Sequence, residues 1–381
     1  MGMRRKMKKI LFMVPSLSGG GAEKVLVNLV NNLNKKYDIT VLTLFDVGVN
    51  KQFLNERVNY KFVFPRVFRG NRLLLQLASP EYLYKKMVKG DYDIVVSFFQ
   101  SPTTRIIAGG NKQSTKFVQW IHNEFHDKQE LLSCYRSERE FRRLQQKYDA
   151  TIFVAETVKT SYESLFPRLV RHPQVLYNVI ETDKIRRLSL EQVDADKSSN
   201  PQNLQLISVG RLVLQKGFER LIRIVSRLAK EGYSIELSLL GTGELHSELQ
   251  RLIEAEEVDS IVHLLGYKEN PYAYVKNADL FVCSSLHEGY STAVTESLIV
   301  GTPVLTTDCS GMAELLGEQN EYGMIVENSE TALYKGLKEL LENPNKLANY
   351  RKMAEIRGQN FNQANQVLAI ERMFDELSSN L

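Results

Sequence analysis

The 381-residue sequence has only three cysteines, Cys134, Cys283 and Cys309, too few and too scattered for a disulfide framework or a zinc site. Cys283 lies in an apolar run and reads as a small buried hydrophobe, which suits a reducing compartment. No apolar run approaches the roughly 18 residues that a membrane-spanning helix needs; the stretch 10–15 is typical of the longest. The basic start (Arg4, Arg5, Lys6, Lys8, Lys9) resembles a signal-peptide n-region, but the apolar stretch stops at Pro15 with no cleavage pattern behind it. A cytosolic chain is expected. Low-complexity tracts are missing as well. With 43% hydrophobic and 25% charged residues, the composition excludes disordered and collagen-like architectures. The length exceeds one ordinary core and predicts two or three domains.

Charge is unevenly placed. Residues 1–180 carry 29 Lys and Arg against 15 Asp and Glu, net +14, whereas 181–381 carry 20 against 30, net −10. A basic half beside an acidic half suggests that one lobe meets an anionic partner: a membrane surface, nucleic acid or a phosphorylated substrate. No RNA- or DNA-binding module accompanies the basic half, and its aromatics are not interleaved as stacking platforms. Nucleic acid is therefore not expected.

Short β-branched and apolar runs alternate with helical patterns along the whole chain. The strand candidates are 9–14, 39–44, 94–98, 117–121, 151–154 and 174–176, then 204–209, 235–240, 261–265, 280–283, 303–306 and 324–326. Between them, apolar residues recur at helical spacing, as in Val25, Leu29, Val30, Leu33 and in Phe218, Leu221, Ile222, Val225, Leu228. This alternation predicts parallel sheets covered on both faces, and it occurs twice, giving two doubly wound α/β domains. The polar stretch 189–203 marks the break, with a hinge placed at 178–203. The end, 363–381, reads as a helix with apolar Val367, Leu368, Ile370, Met373 and Phe374.

Three loops have the chemistry to hold a phosphate. Ser18-Gly19-Gly20-Gly21-Ala22-Glu23 joins the first strand to its helix, where glycines admit a ligand and the helix offers amides and a positive dipole end. Its consecutive glycines fit neither the dinucleotide fingerprint nor a Walker lysine loop, and a tight turn is the competing reading. Gly210-Arg211-Leu212-Val213-Leu214-Gln215-Lys216-Gly217 follows the strand 204–209 and sets a guanidinium fork and an ammonium on one strand-to-helix loop, as a pyrophosphate would require. Glu288-Gly289-Tyr290-Ser291-Thr292-Ala293-Val294-Thr295-Glu296 follows the strand 280–283. Glu288 falls in the loop and Glu296 two turns into the helix, so they are not neighbours on one face. Two acids gripping different hydroxyls of one extended ligand is the better reading than an acid/base pair. A carboxylate in so apolar a helix needs partners.

Gly-x5-Lys-Gly with Arg in second place, followed by Glu-x7-Glu, resembles the retaining family 4 glycosyltransferases of the bacterial surface-polysaccharide type. The likeness also takes in the first glycine loop, Asn178-Val179-Ile180, Leu240-Gly241-Thr242-Gly243 and Ala278-Asp279-Leu280-Phe281-Val282. It implies a GT-B fold: two facing Rossmann-like domains with an interdomain cleft. Residues 1–180 would form the acceptor-side domain and 181–360 the nucleotide-sugar domain. A C-terminal helix at 361–381 would belong to either. By the same resemblance, Arg211 and Lys216 hold the diphosphate of the donor, with Gly20, Gly21 and Gly210 amides nearby. Glu296 binds ribose hydroxyls, and Glu288 lies near the donor sugar. Gly289, Tyr290, Ser291 and Thr292 touch sugar and β-phosphate, Gly241 belongs to the donor loop, and Tyr267 faces the base. His122, at the end of the strand 117–121, hydrogen-bonds the donor sugar and does not act as a base. His126 and Glu124 are weaker candidates beside it.

A same-face, retaining reaction is expected, in which the leaving phosphate oxygen takes the acceptor's proton. No metal and no resident cofactor is expected. Asp91-Tyr92-Asp93 looks like a metal-binding D-x-D motif, but it precedes its strand and would sit at the sheet edge away from ligands. The donor is expected to be a UDP-sugar and the acceptor a polyprenyl-diphosphate-linked saccharide, as in capsule, lipopolysaccharide or teichoic-type assembly. Arg66, Arg69, Arg72, Lys85, Lys86 and Lys89 flank apolar Leu73, Leu74, Leu75, Leu77, Tyr82 and Leu83, a pattern suited to an anionic membrane surface. Arg136, Arg139, Arg142, Arg143 and Lys147 add a second basic helix. The enzyme would thus be peripheral on the inner membrane face. Two other readings are a non-catalytic GT-B-like partner subunit and a nucleotide-sugar epimerase. The intact Arg211, Lys216, Glu288 and Glu296 disfavour the first, and the Glu-x7-Glu layout the second.

Overall fold

A computed structural model of the chain describes residues 7–111, 115–192 and 203–379. Arg4, Arg5 and Lys6, and residues 193–202 of the polar break, lie outside the described residues. Two compact units result: Met1–Ile180 together with Gln363–Leu381, and Glu181–Asn362.

The first unit is built on a parallel sheet of seven strands: β1 (Lys9–Val14), β2 (Asp38–Phe45), β3 (Asn59–Phe64), β4 (Ile94–Ser97), β5 (Lys116–Ile121), β6 (Ala150–Phe153) and β7 (Pro173–Val175). Their order across the sheet is β3-β2-β1-β4-β5-β6-β7. The second unit has six parallel strands, β8 (Leu204–Val209), β9 (Ile235–Leu240), β10 (Val262–Gly266), β11 (Leu280–Cys283), β12 (Val304–Thr307) and β13 (Met324–Val326), in the order β10-β9-β8-β11-β12-β13. Both are Rossmann-like sheets. Strand order reverses between β1 and β4 in one and between β8 and β11 in the other, which creates a ligand crevice outside the carboxyl ends of those strands.

Central strands such as β1 and β11 are almost wholly buried, because helices cover both sheet faces; their near-continuous apolar runs follow from that. In the second unit Leu206, Leu237, Leu239, Leu280 and Val282 pack against Leu221, Ile222, Val225 and Leu228 of the helix Phe218–Lys230. Strand β3 was not among the sequence candidates. Among the described residues it is an edge strand that pairs only with β2 and has no buried residue, and its apolar run is limited to Phe62, Val63 and Phe64 after polar Asn59, Tyr60 and Lys61.

The C-terminal helix Gln363–Ser379 packs within the first unit. Phe374 is fully buried, edge-on to Phe12 and to Tyr37. Asp375 accepts from Lys8 Nζ at 3.2 Å, Lys36 Nζ at 2.9 Å and the Tyr37 hydroxyl at 3.2 Å. Asp93 of the Asp-Tyr-Asp sequence lies at the amino edge of the sheet, where its carboxylate accepts from the Lys9 amide at 2.7 Å. Asp149 and Asp279 pin the Phe117 and Gln205 amides in the same way, at 2.8 and 2.9 Å. Asp93 is thus a strand-end cap.

Candidate functional site

In the second unit the loop leaving β8 and the loop leaving β11 flank the point where strand order reverses. Gly210 ends the first of these strands, and the stem of Lys216 lies over it: a Cβ at Gly210 would come within 3.2 Å of Lys216 Cε. Gly241, at the exit of β9 with φ +140°, is so close to the Gly210 carbonyl that any side chain would collide with it. The loop turns into the helix Phe218–Lys230 through Gly217, at φ +60°, a conformation that favours glycine.

Lys216 Nζ reaches Glu288 Oε1 at 2.6 Å. The pair joins two loops 72 positions apart in the chain. Burial works against the ammonium, but the Glu288 carboxylate outweighs it, and Lys216 is held above the usual lysine range. The Ser285 hydroxyl donates to the same Glu288 oxygen at 2.6 Å, and the Ser284 hydroxyl donates to the Lys216 carbonyl at 2.9 Å. Arg211 is exposed at the carboxyl end of β8. The phosphate-type cations therefore differ: one guanidinium open to solvent, one ammonium fixed by a carboxylate.

The helix Thr292–Val300 begins where the Glu288 loop ends. Ser291 caps it, accepting from the Val294 amide, and Gly301 closes it in the left-handed region. Its positive dipole end consequently lies at Gly289, Tyr290 and Ser291, all buried. Gly311, at φ +76°, lets a second loop approach the Gly289 carbonyl. Glu296 is buried within the helix, with the Tyr272 hydroxyl 3.5 Å from its Oε1. Tyr267, directly after β10, is 63% exposed. Gly210, Lys216, Glu288 and the capped helix thus converge around the β8–β11 edge, while Arg211 and Tyr267 present open side chains on neighbouring loops.

Ser284, Ser285 and Arg220 were not singled out from the sequence. The available signal for Arg220 was its position, between Phe218 and Leu221 on the face that enters the core.

In the first unit His122 directly follows β5 and is buried against the rings of Phe98 and Phe99, with centroids at 4.6 and 5.5 Å. Burial lowers its pKa to about 3, so the imidazole is neutral at physiological pH. Its Nε2 is buried with no hydrogen-bond partner among the described residues. Gly20 caps the helix Gly21–Leu33, and the Glu23 carboxylate folds back against it. A Cβ on Gly20 would overlap that carboxylate, which also takes the Ser18 hydroxyl at 2.6 Å. The Glu23 carboxylate therefore lies at the helix start where Gly20 and Gly21 are expected to meet phosphate.

The basic apolar surface is formed around the helix Asn71–Leu77, which exposes Leu73, Leu74 and Leu77 by 59%, 49% and 65% and buries Leu75. Its last carbonyls are held by two guanidiniums: Arg105 Nη1 donates to Leu75 O at 2.7 Å and Arg136 Nε to Gln76 O at 2.8 Å. Arg105, itself buried, is fixed by Glu140 through two bonds of 2.8 and 3.1 Å. Arg66, Arg69, Arg72, Lys85, Lys86 and Lys89, which flank it in the sequence, are exposed. In the second basic helix, Arg142 and Arg143 already pair with Glu138 and Glu81. Among the described residues no helix is long and apolar enough to cross a membrane.

Two Rossmann-like sheets in one chain, with a cation–carboxylate pair at the reversal point of the second, define a glycosyltransferase of GT-B architecture. Residues 19–184 match the Glycosyltransferase Family 4 model and residues 191–357 the model for glycosyl transferases group 1; the chain belongs to the glycosyltransferases that join these two domains. It is 27% identical to an N-acetylgalactosamine-N,N'-diacetylbacillosaminyl-diphospho-undecaprenol 4-alpha-N-acetylgalactosaminyltransferase of Campylobacter jejuni, over 93% of this chain and 96% of that one. It is also 27% identical to a GalNAc-alpha-(1->4)-GalNAc-alpha-(1->3)-diNAcBac-PP-undecaprenol alpha-1,4-N-acetyl-D-galactosaminyltransferase of the same organism, over 89% and 90%. Among solved structures, Anabaena HepE in complex with UDP and glucose has the same fold, with a TM-score of 0.77 at 18% identity over 97% of this chain and 99% of that one.

Proposed function

We propose that this glycosyltransferase moves a hexose or N-acetylhexosamine from a UDP-sugar to a hydroxyl of a polyprenyl-diphosphate-linked saccharide, with retention of configuration. The observation that carries the reading is the Lys216–Glu288 pair at the carboxyl edge of β8 and β11, beside the start of a capped helix. The acceptor class is supported by the two Campylobacter relatives, whose names specify undecaprenyl-diphosphate-linked substrates. Relatives named for colanic acid and lipopolysaccharide core synthesis agree with a surface-polysaccharide role.

Departure of a nucleoside diphosphate concentrates negative charge on the bridging oxygen. Lys216, kept protonated by Glu288, and the exposed fork of Arg211 stabilise that charge, aided by the dipole of the helix Thr292–Val300. Glu296 accepts from ribose hydroxyls, and Tyr267 stacks on the base. His122, neutral and with Nε2 unfilled, accepts from a hydroxyl of the donor sugar. No carboxylate serves as nucleophile in this scheme: the acceptor attacks the face the diphosphate leaves, and the departing oxygen takes its proton. Resident metal or cofactor is not part of it. The exposed leucines of the helix Asn71–Leu77, flanked in the sequence by cations, would rest in an anionic bilayer where the acceptor's lipid resides.

The test is transfer by the purified protein from a panel of nucleotide sugars to a short polyprenyl-diphosphate saccharide, in excess EDTA, with product configuration read by NMR. Transfer from a UDP-sugar giving the donor's own anomer is expected. An inverted product, or activity lost to EDTA, would overturn the mechanism.

A further inference from the structure

We propose that Arg220 is a positioning residue for the Lys216–Glu288 pair, acting by locking the backbone that leaves β11. The inference rests on the donor-site reading given above.

Arg220 sits in the first turn of the helix Phe218–Lys230, and only 8% of it is exposed. The oxygens it reaches are all neutral. Nε and Nη2 donate to the Ser284 carbonyl at 2.9 and 2.6 Å, and Nη2 also to the Ser285 carbonyl at 2.7 Å and to Asn328 Oδ1 at 2.9 Å. Nearly burying a guanidinium against uncharged partners is costly unless the geometry it enforces matters. Here each carbonyl from Ser284 to His287 has a donor. Thr307 and Cys309 add bonds of 2.7 and 3.2 Å to the Ser285 carbonyl. Asn328, oriented by Arg220, donates to Leu286 O at 2.8 Å, and Gln215 donates to His287 O at 2.9 Å.

Both members of the pair hang on this segment. The Ser284 hydroxyl fixes the Lys216 carbonyl, and the Ser285 hydroxyl fixes the Glu288 carboxylate. Gly217 brings the helix start so near that a Cβ there would lie 2.9 Å from Arg220 Nε and overlap the Ser284 carbonyl. Arg220 touches no reacting atom. It sets where the ammonium and carboxylate stand, and a planar fork does this in a way that a lysine's single rotatable ammonium does not.

Arg220→Lys, Ser285→Ala and their double variant test the idea by transfer kinetics and by hydrogen–deuterium exchange. Each single variant is expected to raise the donor KM about tenfold with the acceptor KM unchanged, and the double to be no worse than Arg220→Lys. Exchange should quicken at 214–217 and 284–291 while the rest of the sheet keeps its protection. Unchanged exchange in those segments, equal losses for donor and acceptor, or single effects that multiply would each overturn the proposal. Should Arg220→Lys not fold, Asn328→Ala removes two bonds of the lock, that from Arg220 and that to Leu286 O, and should give the same pattern at about threefold; no change there also overturns it. Lys216→Ala is the control. Unchanged turnover in that variant would remove the donor-site reading, while the exchange data would still decide the positioning.

Discussion

The two units open in the same way, strand then glycine loop then helix, yet the loops carry opposite charge. After β1 the helix Gly21–Leu33 begins under the carboxylate of Glu23, which folds onto Gly20 and takes the Ser18 hydroxyl. After β8 the stem of Lys216 lies over Gly210, and its ammonium is braced by Glu288. Backbone geometry alone would make both loops anion sites. Side-chain charge separates them: one is already filled by the protein's own anion, the other offers a cation. The same architectural position thus carries different side-chain chemistry, and the proposal that the second loop meets the phosphate follows that difference.

The most severe way to break this contrast is Lys216→Ala. Removing one preorganised charge at a departing group typically costs about 2.7–4 kcal/mol, so kcat should fall roughly 100- to 1000-fold in the transfer assay. A variant that turns over at the original rate would end the assignment. A smaller effect is expected from His122→Phe, read through stability and pH. The folded value of about 3 lies below the ordinary 6.5, so the stabilisation is complete above pH 6.5 and drains away as pH falls toward 3. At pH 5 the loss is on the order of 2 kcal/mol, and the phenylalanine variant should lack it when urea midpoints at pH 7 and pH 5 are compared. Equal pH sensitivity in both proteins would count against a neutral buried imidazole. The least effect belongs to Glu23→Gln, which should leave the donor KM within about twofold, since Glu23 is turned to its own helix start and the Ser18 hydroxyl. Tightening of UDP well beyond that in calorimetry would show that phosphate does approach the first loop, and the contrast would fail.

Much of this organisation was legible in the sequence. Buried strands announce themselves because burial on both faces demands apolar runs, and every candidate run, those of the edge strands β7, β10 and β13 included, predicted a strand within a residue or two. Strand β3, with no residue buried and Asn59, Tyr60 and Lys61 at its start, left a weaker mark. Loop glycines and the ordered Arg211, Lys216, Glu288 and Glu296 were equally visible as residue types. Their partnerships were not: nothing in spacing says that Lys216 meets Glu288, that two serines brace them, or that Glu23 returns to Gly20. Those contacts depend on which strands become neighbours, a property of the sheet order. Arg220 escaped notice for the related reason that a buried arginine and a solvated one look alike along a helix.

The C-terminal helix has a consequence for how the protein comes into being. Phe12 and Phe374 share one aromatic cluster although they come from opposite ends of the chain. On the ribosome the unit begun first is therefore completed only after the second has been made, its aromatic cluster waiting on residues 363–379. A ribosome that stalls after the second unit would release a protein whose later half is whole and whose earlier half still shows its unfilled core to chaperones and proteases.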